Sequence, residues 1–200
     1  MNSFADIFNG TPTSIPLPNV PKDFPSIILS DSEEKIKIEV SESRTNIYRF
    51  RKENEPDFDE KAFVDLSMSV VEKYITFTNA SVGRLAVVSN KFVSSDNPGL
   101  FLAKHFCKEK WIKEPFNRPE NFELHAHKKY TFDKFKVNSW VRCKTGSLKD
   151  GSPIILVLQD INTLAEEIES NNFVMDDVKK FVNSAILEQT NILGKYFPKE

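Results

Sequence analysis

The sequence contains few cysteines and few glycines. Two cysteines, Cys107 and Cys143, stand far apart among 200 residues and form no CxxC pair, which favours reduced thiols over a disulfide framework. Six glycines leave little material for a glycine-rich phosphate loop, and neither GxxxxGK[ST] nor GxGxxG occurs. These absences argue against a nucleotide-dependent enzyme.

Long apolar runs are also missing. A membrane-spanning helix needs roughly 18 to 20 apolar residues, and no run approaches that length. The first ten residues lack the basic and apolar regions of a secretory signal, so we expect a cytoplasmic protein without a membrane partner. Hydrophobic residues make up 40% of the chain, which is enough to bury a sizeable core.

Familiar catalytic arrangements do not occur either. The sequence has no HExxH and no GxSxG motif. His105 and Cys107 would diverge by about 200° on a helix, too far for a base and its nucleophile. Asp160 and Asn162 follow a predicted strand, where such residues commonly form turns. The patterns therefore favour a non-catalytic protein without deciding the question.

Proline is concentrated near the N-terminus, at positions 12, 16, 18, 21 and 25. Proline lacks a backbone donor and interrupts both helices and central strands. We therefore predict an extended arm over residues 1–25, followed by a single α+β domain over residues 26–200.

The remaining pattern predicts three helices packed on mostly antiparallel sheet, in the order βββ-α-β-α-βββ-α. Two three-stranded meanders are expected, the first formed by SIILS, KIKIEV and NIYRF and the second ending in PIILVLQD. Between them RLAVVSN has apolar residues at consecutive positions, which predicts a central strand covered on both faces.

Helix boundaries are marked by capping residues. Asp57 with Glu60 forms a capping box for a first helix reaching about Ile75. Asn97 followed by Pro98 predicts the start of a second helix. A long amphipathic helix is predicted from about Val174.

The stretch NFELHAHKKY places Glu123, His125 and His127 at alternate positions, and a strand would point all three to one face. With a further carboxylate such as Asp160, this trio is suited to zinc or iron and to a metal-dependent hydrolase. The plainer interpretation is the polar side of a half-buried strand, because Phe122, Leu124, Ala126 and Tyr130 form the opposite, apolar face.

A basic sector covers residues 104–150, where 12 Lys and Arg stand against 6 Asp and Glu. Aromatic residues alternate with these cations, a pattern found in proteins that bind single-stranded nucleic acid. The candidate contact residues are Trp111, Lys128, Lys129, Trp140 and Arg142. The same lysines are also expected at the exposed positions of two ordinary strands.

Two segments carry a resemblance to a known family. RLAVVSNKF (84–92) and LVLQDINTL (156–164), followed by the closing helix and YFP, resemble a sporadically distributed prokaryotic family of uncharacterised proteins. The resemblance covers roughly residues 26–197 and implies no activity, cofactor or catalytic residue.

Three functional hypotheses follow. The first is a non-catalytic cytoplasmic module that binds another macromolecule, most naturally a protein or a second copy of itself, through sheet surface and the N-terminal arm. The second is the metal-dependent hydrolase built on His125 and His127. The third is a single-stranded nucleic-acid binder acting through the basic sector.

Overall fold

The chain has the predicted α+β fold. The computed structural model describes residues 10–14, 19–51 and 59–197. The chain forms two compact units, Met1–Ala80 and Ser81–Glu200. A single domain over residues 26–200 stays a prediction. Each unit contains a four-stranded antiparallel sheet.

The sheet of the first unit has one strand more than predicted. Its strands lie in the order β1-β2-β3-β4 and are Gly10–Ser14, Ile27–Asp31, Ile36–Val40 and Thr45–Arg49. The additional strand, β1, comes from the proline-rich arm and pairs with β2 at the edge of the sheet. An edge strand tolerates Pro12, because a proline there need not donate a hydrogen bond to a second neighbour.

Helix α1, Glu60–Thr78, covers this first sheet. Asp59 is its N-cap and accepts a hydrogen bond from the Ala62 amide at 2.9 Å. The predicted cap, Asp57, lies outside the described residues. Val70 and the buried Ile38 form the centre of a small core together with half-buried Leu29, Ile36, Val40, Ile47 and Leu66. Helix α1 and the sheet therefore each contribute one apolar face to this core.

The second unit is built on the sheet β5-β8-β7-β6. Its elements in chain order are β5 (Ala86–Ser94), α2 (Pro98–Phe106), α3 (Glu109–Lys113), β6 (Glu123–Phe132), β7 (Phe135–Ser147), β8 (Pro153–Thr163) and α4 (Met175–Leu193). Strands β6 and β7 form a hairpin, in which Phe132 pairs with Phe135 across a two-residue turn. The short helix α3 was not predicted.

The predicted central position of RLAVVSN is wrong. Strand β5 lies at the edge of its sheet, and β8, the PIILVLQD strand, occupies the interior position between β5 and β7. Val88 is 54% exposed, so the consecutive apolar residues of β5 are not covered on both faces. An apolar run therefore indicated a strand correctly but not its place in the sheet.

Helices α2 and α4 pack on one face of the second sheet. The core beneath them contains Leu102 of α2, Leu193 of α4 and the inward-facing strand residues Val141, Cys143, Ile155 and Val157. Phe181 of α4 is fully buried, with its ring centroid 5.4 Å from that of Phe135 and 5.6 Å from that of Phe132. These contacts attach α4 to the hairpin of β6 and β7.

Two buried glutamines face each other between α4 and the sheet. Gln189 donates hydrogen bonds to the backbone carbonyls of Val87 at 2.9 Å and Gln159 at 3.2 Å. Ser89 donates to the Gln189 side-chain oxygen at 2.5 Å. By contrast, the side-chain amide of fully buried Gln159 has no hydrogen-bond partner among the described residues. Gln189 therefore holds α4 on the sheet. The side-chain amide of Gln159, by contrast, is buried without hydrogen bonds from the described residues to replace those it would make to water.

The same substitution at these two positions should have opposite effects. We expect Gln159→Met to raise the free energy of unfolding by about 1 kcal/mol, because a buried amide without partners is replaced by an apolar side chain of similar size. Gln189→Met should lower it by about 2 kcal/mol, because three hydrogen bonds to buried groups are lost. Urea unfolding of both variants measures the two changes. A loss of stability in both would contradict the assignment.

Candidate functional site

The face of the second sheet opposite α2 and α4 carries charged, amide, histidine and aromatic side chains. We call it the open face. Strand register places its residues in four rows across β5, β8, β7 and β6: Ala86, Asn162, Asn138 and Lys129; Val88, Asp160, Trp140 and His127; Asn90, Leu158, Arg142 and His125; Phe92, Leu156, Lys144 and Glu123. Alternation along each strand sends these side chains to one side.

A shallow cleft of about 290 Å³ lies near the middle of the open face. Its walls are formed by strands β5, β7 and β8 and by one residue from the segment before β5. The lining residues are Arg84, Val88, Asn138, Trp140, Arg142, Leu158, Asp160 and Asn162. Apolar and charged groups therefore meet in one cleft on the open face.

Trp140 is the aromatic centre of the cleft. The ring of His127 stacks on it with centroids 4.2 Å apart and an angle of 15° between the planes. The guanidinium of Arg142 lies 6.0 Å from the Trp140 centroid. His127 is also oriented by Asn138, whose side-chain oxygen contacts His127 Nε2. Trp140 is thus held in one orientation by neighbours on two strands.

A chain of hydrogen bonds forms the polar wall of the cleft. Arg84 donates to Asn162 Oδ1 at 3.0 Å, and the Asn162 amide donates to Asp160 Oδ1 at 2.9 Å. Asn162 is only 3% exposed, so these bonds satisfy a buried amide and fix the carboxylate. Asp160 and Asn162 lie within β8, so the prediction that they form a turn after the strand is wrong.

The candidate metal residues share the open face, as the alternation predicts. Glu123 Oε1 and His125 Nε2 are 2.7 Å apart, and this hydrogen bond from His125 lowers the pKa of the Glu123 carboxyl. His127 instead stacks on Trp140. Within residues 10–14, 19–51 and 59–197, no group of three His, Cys, Asp or Glu side chains is arranged to hold a metal ion. Zinc or iron binding here stays a prediction, which elemental analysis tests.

The structure divides the five candidate nucleic-acid contacts between different surfaces. Trp140, Arg142 and Lys129 lie on the open face. Lys128 points to the helix-covered side, where its ammonium lies 3.4 Å from Glu188 of α4 and 4.1 Å from the Tyr130 ring centroid. Trp111 belongs to α3, outside the sheet. The basic sector is therefore not one continuous patch.

Carboxylates compensate part of the positive charge on the open face. Lys129 pairs with Glu166 at 2.8 Å and Lys136 with Glu167 at 2.6 Å. The hydrogen bond from Lys129 lowers the pKa of Glu166, and the bond to Glu167 raises the pKa of Lys136. Arg142 and Lys144 are exposed and form no ion pair within the part of the chain that the structure describes. The remaining positive charge is local and adjoins the cleft.

Other reactive side chains are engaged elsewhere. His105 Nε2 lies 2.8 Å from the Lys195 carbonyl, and Cys107 is the residue that ends α2. Cys143 is fully buried, and burial raises the pKa of its thiol to about 11. Burial likewise raises the pKa of Tyr130 to about 12, assisted by Glu188, which accepts a hydrogen bond from the Tyr130 hydroxyl at 3.3 Å.

The chain is therefore an α+β protein whose second antiparallel sheet is covered by helices on one face and carries a cleft on the other. No protein-family model, curated protein sequence or solved structure matches the chain significantly. The resemblance to the sporadically distributed prokaryotic family accordingly stays a prediction. Within the described residues, no helix combines the length and hydropathy required to cross a membrane.

Proposed function

We propose that this protein is a non-catalytic binding module that recognises another protein through the open face of its second sheet. The observation that carries the proposal is the position of Trp140, half-buried in a cleft between charged, amide and apolar side chains. A sheet covered by helices on one side leaves such a surface available to a partner.

The composition of the cleft is typical of a protein-binding hot spot. Tryptophan and arginine are enriched among the residues that dominate binding energy, and they lie in concave places surrounded by less important contacts. Trp140 and Arg142 have these positions, with Val88 and Leu158 as apolar neighbours. The existing stack with His127 reduces the entropy lost when a partner orders Trp140.

The charges indicate what the partner presents. An apolar or aromatic side chain would contact Trp140 and Leu158. An acidic side chain would complement Arg142 of the cleft and the nearby Lys144, which form no ion pair within 4 Å among the described residues, although Glu123 lies opposite Lys144. Asp160, held by Asn162, would accept a hydrogen bond from a partner donor. We therefore propose an acidic segment with an apolar anchor as the recognised element.

Replacing Trp140 should weaken partner capture with little effect on folding. We expect Trp140→Ala to weaken binding by about 2 kcal/mol, roughly 30-fold in Kd, because the central aromatic contact is lost. Trp111→Ala is the matched control, because Trp111 is a 46% exposed tryptophan outside the open face. Quantitative mass spectrometry of co-purifying proteins identifies partners retained by wild type and the control, and titration calorimetry measures each affinity.

The same variants distinguish protein from nucleic acid. In a Trp111→Phe protein the remaining tryptophan, Trp140, reports directly on the cleft by fluorescence. Quenching by a mixed-sequence single-stranded oligonucleotide, with affinity that falls steeply with salt, would reassign the partner to nucleic acid. Equal loss of partners in the Trp140 and Trp111 alanine variants would contradict a role for the open face.

A further inference from the structure

One side of strand β5 presents backbone groups that have no partner among the described residues. At its two ends, Thr163 donates to the Leu85 carbonyl at 2.9 Å and Ser95 donates to the Pro153 carbonyl at 3.2 Å. In an antiparallel ladder, backbone groups of alternate residues point to the same neighbour. The odd-numbered residues of β5 therefore bond β8, and the even-numbered residues 86 to 94 direct their N–H and C=O groups away from the sheet.

The side chains along this edge are partly apolar and exposed. Val88 and Phe92 are each 54% exposed, and both belong to the even-numbered set. Residues Ala86–Ser94 contain no proline or glycine, and their single charge is Lys91. Proteins protect free edges with prolines, bulges or several charges. The edge of β5 has little such protection along nine residues.

We propose that β5 pairs antiparallel with β5 of a second copy of this chain, with the two-fold axis at Asn90. In this register Val88 of one copy lies opposite Phe92 of the other, on both sides of the axis. Lys91 lies opposite Ser89, so the two lysines do not face each other. The edge is thus complementary to itself in shape, hydrogen bonding and charge.

Neighbouring registers satisfy fewer of these conditions. An axis at Val88 pairs Phe92 with Arg84, and an axis at Phe92 pairs Val88 with Asp96. An axis at Lys91 brings two ammonium groups together, which is destabilising for residues directly opposite in a sheet. Among these axes, only the one at Asn90 places Val88 opposite Phe92. This self-complementarity favours a second copy over an unrelated strand as the occupant.

The dimer would join two four-stranded sheets into one of eight strands. Opposite residues of paired strands point to the same side, so the two open faces would be continuous. Each copy would then offer one cleft on a shared surface. Val88 belongs to both the cleft and the paired edge, but the two proposals are tested separately, since neither Asn90 nor Phe92 lines the cleft.

Proline at position 90 tests the pairing. We expect the wild type and Asn90→Ala to sediment as dimers and Asn90→Pro to sediment as a monomer, because proline removes an outward donor while leaving the bonds to β8 intact. Circular dichroism checks that the proline variant is folded, and Phe92→Lys provides a second disruption without a backbone change. A monomeric wild type, or a dimer that survives both substitutions, would overturn the proposal.

A single cysteine tests the register. Asn90→Cys in a Cys107→Ser background should form an intermolecular disulfide, because opposite hydrogen-bonded residues have Cα atoms about 5.5 Å apart. Buried Cys143, whose thiol has a raised pKa, can stay in place. Ser94→Cys is the control, since two copies of residue 94 would lie about 27 Å apart. Crosslinking at position 94 but not at 90 would exclude this register, as would efficient crosslinking to a different protein.

Discussion

Phe181→Ala should lower the free energy of unfolding of the second unit by about 3 to 5 kcal/mol. Phe181 is fully buried on α4 and contacts the rings of Phe132 and Phe135 at the hairpin. Alanine would leave a cavity at a place where both strand ends are already constrained by their two-residue turn. Such a site cannot collapse readily, so the cost should be near the upper part of this range.

Leu187→Ala on the same helix is the matched control. Leu187 is 63% exposed, so its truncation should change stability by about 0.5 kcal/mol or less. Urea unfolding followed by tryptophan fluorescence measures both variants. Trp111 and Trp140 both belong to the second unit, so the signal reports on that unit. A loss below about 1 kcal/mol for Phe181→Ala would show that α4 is not anchored through this aromatic cluster.

Gly99→Ala should destabilise the second unit by about 3 kcal/mol. Gly99 lies in the first turn of α2, and a Cβ there would meet the Pro119 carbonyl oxygen at 2.0 Å and the Glu120 carbonyl oxygen at 3.0 Å. The obstructing atoms are backbone, so no side-chain rotation can relieve the clash. Either α2 or the segment at residues 119–120 must move.

Gly194→Ala provides the comparison for this steric effect. Nothing lies within 4 Å of a Cβ placed at Gly194, which follows α4. The same glycine-to-alanine change should there be neutral or slightly stabilising, by reducing the entropy of the unfolded chain. Thermal unfolding of the two variants distinguishes the steric clash expected at Gly99 from the general effect of adding a methyl group. Equal stability of both would mean that the two segments are not held in contact.

The fold class was largely readable because periodicity records which side of an element is buried. Ile36, Ile38 and Val40 alternate along β3, which indicated a strand with one apolar face, and in the structure that face packs against α1. Asn97 followed by Pro98 correctly located the start of α2. These signals are local, because capping and amphipathicity depend on residues within a few positions of one another.

The place of β5 in the sheet could not be read in the same way. Four consecutive apolar residues, positions 85 to 88, suggested a strand covered on both faces. In the structure Leu85 is buried, whereas Val88 lies on the open face of an edge strand and is exposed. Strand order depends on pairing between distant segments, and a run of apolar residues carries no record of its neighbours.

At the candidate site, too, some features could be predicted from the sequence and others could not. Alternation alone grouped Trp140 with Arg142 and separated them from the buried side of β7. It also separates Lys128 from Lys129, a distinction that grouping them by charge overlooked. Arg84 precedes β5, Val88 lies on β5 and Asp160 lies on β8, and the sequence did not identify them as neighbours of Trp140. Only strand register brings them to one cleft.

The sequence by itself determined most of the elements, though not β1 or α3, together with their amphipathic faces and the absence of familiar catalytic motifs, because these depend on residue type and short-range spacing. The tertiary structure decided which strand lies at the edge, which lysines are paired with carboxylates and which side chains surround Trp140. These outcomes require residues such as Val88 and Asp160, 72 positions apart, to lie in the same row of a sheet. That juxtaposition arises when the strands pair, and no local pattern in either segment contains it.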